Sequence, residues 1–299
     1  MSERIEFYKN RGIGERFSVA VDFLTQNWKT LYKNILIGGL PFAIIMGYLI
    51  AQVSGVRPVG LNNFDLPRFL LFYAFLLVIS FITNIYLCSM TGAVLFHYDR
   101  NQLNETTGWN DLKDTFFRFA GKITLISLLI AISVGIIIVV FAAILGSMAS
   151  FSLSGMHAGF FILLFLFILI FFGIILALAP SLSIMYFPAC FSGKTAVESI
   201  KIAFNLGFKN WGSLFVAILL AGVVLATISF VFSLPYEVAT LFSRGQLSIF
   251  SYILSTLSAI GTLLISPITA VIFAFQYFSI VEREEGVSLQ TQIDEFENL

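Results

Sequence analysis

Six stretches of this chain contain no Asp, Glu, Lys, Arg or His: Asn34 to Val53, Phe69 to Phe96, Ile123 to Met148, Gly159 to Phe187, Trp211 to Leu234, and Ile249 to Val281. Each is long enough to cross a bilayer as a helix, which takes about 20 residues at 1.5 Å apiece. The fourth is the most apolar, with 17 of the 20 residues from Phe160 to Ala179 being Leu, Ile or Phe. At roughly 0.4 kcal/mol each near a helix centre, that composition favours insertion by about 7 kcal/mol at most. The whole chain carries 11% charged residues, against about 25% in soluble domains. The predicted fold is all-α, a polytopic membrane protein of six transmembrane helices.

Basic residues set the expected orientation. Fourteen of the 17 lie in the N-terminal arm, the second and fourth loops and the tail, while the alternate loops hold only Arg57, Arg68 and Arg244. The positive-inside rule then places both termini in the cytoplasm, with the chain multi-pass in the inner (cytoplasmic) membrane. The opening MSERIEFYKNRGIGERF lacks the apolar core of a signal peptide. Acidic residues also number 17, so no net charge draws the protein to nucleic acid.

An amphipathic element precedes alternate spans. The stretch Gly193 to Gly212 matches Gly14 to Lys33, with Glu15 on Glu198, Phe17 on Ile200, Ala20 on Ala203 and Asn27-Trp28 on Asn210-Trp211. A weaker copy, Thr106 to Ile123, keeps the helical spacing as Trp109, Leu112, Phe116, Phe119 and Ile123. The pattern predicts three repeats of one interfacial amphipathic helix plus two spanning helices, within a single membrane domain 1–299. Repeat 1 covers about 14–98, repeat 2 about 106–187 and repeat 3 about 193–281, and a cytoplasmic tail follows at 282–299. Trp28, Trp109 and Trp211 fall where the surface helix turns into the spanning one, a depth that suits an indole, and are expected as interfacial anchors. Anchoring is the expected role of these helices, ahead of sensing anionic lipid through Lys29, Lys33, Lys201 and Lys209.

Small residues recur every four positions in four spans: Gly39, Ala43 and Gly47; Ser127, Ala131 and Gly135; Gly173, Ala177 and Ser181; Ser251, Ser255 and Ala259. That spacing lets helix backbones approach closely in lipid. Packing within one chain is the expected use, ahead of a homodimer. Pro41, Pro180 and Pro267 are expected to kink or bound their helices.

Chemical motifs are scarce. The two histidines, His97 and His157, each sit at a membrane edge, and neither H-E-x-x-H, a P-loop nor G-x-S-x-G is present. His97-Tyr98-Asp99 is an ordinary helix end before it is an acid/base group. Cys88 and Cys190 read as small buried hydrophobes. No ionisable group lies inside a span, where coupled transport normally needs one. The deep polar residues are uncharged: Asn84 in the second span, and Ser255, Thr262, Ser266 and Gln276 in the sixth. These are expected as hydrogen-bonding glue between helices, or else as the lining of a cavity.

The stretch SPITAVIFAFQYFSIVEREEG, with a proline early in the last helix, Tyr277 and the charged exit Glu282 to Gly286, resembles the terminus of uncharacterised six-helix bacterial membrane proteins. Those are distantly similar to the membrane domain attached to some glycerophosphoryl diester phosphodiesterases. The opening, from Arg11-Gly12 and Gly14 to Phe23, Gln26-Asn27 and Leu31, looks like the same group, as does AVESIKIAFNLGFKNWGSLF. The resemblance implies an architecture and no catalytic residue.

These readings predict a non-enzymatic accessory or membrane-organising protein of the cytoplasmic membrane, with no cofactor or metal. Its expected partners are membrane lipids and a protein on the cytoplasmic side. The alternative is a passive conduit or exporter for a lipid-like or apolar small molecule.

Overall fold

The computed structural model describes residues 4–55, 65–104, 106–152, 158–242 and 248–287. They form eight helices: α1 (Ile13–Gly55), α2 (Leu66–Asp99), α3 (Trp109–Ser152), α4 (Ala158–Ile184), α5 (Phe187–Phe191), α6 (Ala196–Lys209), α7 (Trp211–Phe242) and α8 (Ile249–Glu285), with no strand among them. Six of these, all but α5 and α6, are long and apolar enough to span a membrane. The chain is thus all-helical and has the makings of a multi-pass membrane protein.

Turn chemistry fixes several ends. Ser248 and Asp65 cap the N-termini of α8 and α2 through their side chains. Gly286 closes α8 in the left-handed region at φ 62°, a conformation glycine takes without a Cβ penalty. At α6, Thr195 and Glu198 form a reciprocal capping box.

The expected division between a surface helix and a spanning helix occurs in the third copy alone. There α6 ends at Asn210 and α7 begins at Trp211, whereas α1 runs unbroken through Asn27-Trp28 and α3 through Ile123. Both asparagines donate Nδ2 to the carbonyl four residues back, Asn27 to Phe23 and Asn210 to Leu206. What differs locally is the next residue, Lys29 in one and the poor helix former Gly212 in the other. Pro41, Pro180, Pro235 and Pro267 are all accommodated inside helices.

Two compact units can be distinguished, one of residues Met1–Ala120 with Val216–Leu299 and one of Gly121–Phe215, so the boundaries fall inside α3 and α7. In the first unit α1 lies along α8. Gly39, Ala43 and Gly47 are buried, as are Ser251, Ser255 and Ala259 opposite. A Cβ on Gly47 would come within 2.5 Å of the Thr256 Cα, so backbone meets backbone there. Polar ties run along the seam: Ser255 Oγ donates to Gly47 O at 2.7 Å, Gln52 Nε2 to Tyr252 Oη at 2.9 Å, and Tyr32 Oη to Leu264 O at 2.9 Å, three residues before Pro267. The half of α2 from Thr83 to Leu95 is mostly buried, and Tyr86 Oη reaches across Gly38 to donate to Asn34 O at 2.8 Å.

In the second unit α4 packs on α6, where a Cβ on Gly207 would lie 2.6 Å from the Ser181 Cα. Ser127 and Tyr186 hydroxyls are 3.1 Å apart, and Lys122 Nζ donates to Ala189 O at 2.9 Å beside α5.

Candidate functional site

Polar and aromatic side chains gather where residues 4–12 fold back over the ends of α1, α2 and α8. Phe7 is buried, with its ring 5.6 Å from Tyr98 in a stack, 4.7 Å from Phe278, 5.2 Å from Phe275 and 6.1 Å from Phe23. Tyr98 Oη accepts from the Ile5 amide at 3.0 Å, and Arg4 Nη2 donates to Asp99 O at 2.7 Å. A cation on the last carbonyls of α2 complements the negative end of its dipole. The Arg11 amide donates to Ser279 Oγ at 3.0 Å, pinning the arm to α8.

Beneath the arm lies Arg16, 3% exposed, whose Nη1 donates to Gln276 Oε1 at 3.0 Å and whose Nε donates to Arg11 O at 2.8 Å. Gln276 is fully buried, and its Nε2 finds no acceptor among the described residues. The arm also shapes a recess of about 380 Å³ lined by Arg4, Glu6, Lys9, Arg11, Asp22 and Gln26. Burial holds the Arg11 guanidinium below the usual arginine range, with Glu6 and Glu15 acting in the opposite direction. Burial likewise pushes the Tyr8 phenol up, and Tyr277, Asp99 and Glu285 add to the effect.

The polar residues expected to meet at depth are separated. Ser255 is buried and bonded to Gly47 O, and Gln276 is buried against Arg16. Thr262 is exposed and donates to Ser258 O of its own helix, Ser266 is half-buried, and Asn84 is exposed on α2. They do not form one ring. Of the expected anchors, Trp28 and Trp109 are exposed and Trp211 is half-buried, stacked at 4.6 Å on Phe215. His97 Nε2 lies 3.1 Å from Thr115 Oγ1, while the Asp99 carbonyl receives Arg4 from the arm. His157 falls outside the described residues. No grouping of three or more His, Cys, Asp or Glu suited to a metal ion occurs among the described residues.

Arg16, Phe7 and Ser279 were invisible as site residues in the sequence. The one available signal for Arg16 was its helical phase, since it shares a face with Ala20, Phe23 and Leu31, all of them buried. No protein-family model matches the chain, and no curated protein or solved structure matches it significantly.

Proposed function

We propose that the protein is a non-enzymatic, accessory or membrane-organising component of the cytoplasmic membrane, built on three repeats, with both termini cytoplasmic. The observation that carries this reading is the dispersal of its deep polar side chains. A conduit needs them facing a common space, yet Ser255 and Gln276 are engaged in helix-to-helix bonds, and Thr262 and Asn84 lie on exposed faces. A protein partner on the cytoplasmic side meets the arm end, where Arg4, Glu6 and Lys9 are exposed around the recess. The likeness to six-helix bacterial membrane proteins is part of the same proposal.

Native mass spectrometry of the protein released gently from its own membrane tests the choice. A co-purifying protein, with only the bulk lipid mixture bound, is the expected result. One lipid or small molecule retained at fixed stoichiometry would overturn it in favour of the passive conduit.

A further inference from the structure

We propose that the outward face of α2 is a self-association surface, occupied by α2 of a second copy of this chain, with Asn84 at its inner end. Asn84 lies fifteen residues from Phe69 and twelve from Phe96, the ends of a charge-free stretch. At 1.5 Å per residue it is about 20 Å from either end, deep in the span. Its side chain is nonetheless exposed. Nδ2 has no partner among the described residues, and Oδ1 has only the Cys88 thiol, 3.8 Å away.

The face of α2 concerned is fixed by the amide itself. Leu66, Leu70, Tyr73 and Leu77, which share that face with half-buried Ser80 and with Asn84, are between 43% and 54% exposed, and Leu71 and Val78 beside them are equally open at 54% and 56%. Their alternating four- and three-residue steps are the spacing that a heptad seam through Asn84 would use. It stops where the next position, Leu87, is buried in the first unit.

The apolar part of this seam asks for no partner in lipid, because acyl chains solvate leucine as well as another helix does. The amide does ask for one, since a side-chain amide left unmet in hydrocarbon is costly. Of the partners that could meet it, a second Asn84 across a two-fold axis is the self-sufficient one. The amide holds donor and acceptor in one group, so two copies satisfy each other reciprocally in an isologous contact. One polar residue within an apolar heptad seam also fixes register and the number of helices.

Subunit counting by photobleaching of the full-length, fluorescently tagged protein in lipid vesicles, over a range of dilutions, tests the proposal. Two bleaching steps are expected, with association weakened about 3- to 30-fold by Asn84→Leu and restored by Asn84→Gln. Geometry is tested separately in a Cys88→Ser/Cys190→Ser background. Leu77→Cys should cross-link between copies on oxidation, and Val78→Cys, about 100° around the helix, should not. Single-step bleaching at every density, dissociation unchanged by Asn84→Leu, or equal cross-linking at both positions would overturn the proposal.

Discussion

The small-residue stripes of α1 and α8 are buried against each other, whereas stripes of the same spacing in α3 and α4 stay largely open. In the first pair Gly39, Ala43, Gly47, Ser251, Ser255 and Ala259 are all buried. In α3 Ser127 is buried but Ala131 is exposed, and in α4 Ser181 is buried but Gly173 is exposed. A Cβ added to Gly135 or Gly173 would meet nothing within 4 Å. What separates the two cases is the polar stitching, because α1 and α8 are joined along their length by the side-chain bonds of Arg16, Tyr32, Gln52 and Ser255. Small residues permit close approach, and hydrogen bonds select which helix makes it.

That contrast breaks first at the glycines. Gly47→Ala forces a Cβ onto the Thr256 backbone and should cost up to about 3 kcal/mol, the range for overpacking. Gly173→Ala should change stability by less than about 0.5 kcal/mol. Thermal unfolding of both variants in one detergent checks this, and equal shifts would erase the distinction between the stripes. Gln276→Leu removes one acceptor from a buried guanidinium and should cost about 2 kcal/mol. Thr262→Leu, an exposed site on the same helix, is expected to be near neutral in the same assay.

Ser255→Ala deletes the bond to Gly47 O without creating a clash. Its expected cost is about 0.6 kcal/mol, the average for such bonds in membranes, read as a small fall in the force or detergent fraction needed to separate α1 from α8. The smallest effect lies outside the seam, at α6. The Glu198 carboxyl is held below the usual carboxylate range by the Thr195 backbone amide and hydroxyl. A depressed folded value contributes stability above the unfolded pKa, near 4.3, which is lost as pH falls through the folded value. The protection of the amides at the start of α6, taken relative to their intrinsic exchange rate at each pH, should fall on acidification, and a Glu198→Gln variant should show no such acid-dependent fall.

The six helices long and apolar enough to span a membrane were legible because a run without charge is a local property of the chain. The partners of the first and sixth stripes were not, since spacing by four is identical in α3 and α4. Arg16 sits in the sequence beside Glu15 and looks solvated. Its burial depends on Gln276, 260 residues away, which no local window contains. The place of Asn84 midway along its charge-free run could be read, but its direction could not. With Leu, Phe and Ile on every side of α2, the helix has no polar face from which to infer which way the amide points. The helix break expected beside Trp28 is one that α1 does not make.

Residues 4–12 and the end of α8 lie at opposite ends of the described chain, yet the arm's attachment points, Gln276 beneath it and Ser279 beside Arg11, belong to the last helix. During synthesis at about 5–20 residues per second, Arg11 precedes Ser279 by an interval on the order of tens of seconds. Throughout that interval the Phe7 ring has neither Phe275 nor Phe278 to enclose it. Docking of the arm is therefore a late event in biogenesis, and its closure reports that the final span has been made and has come to rest beside the first.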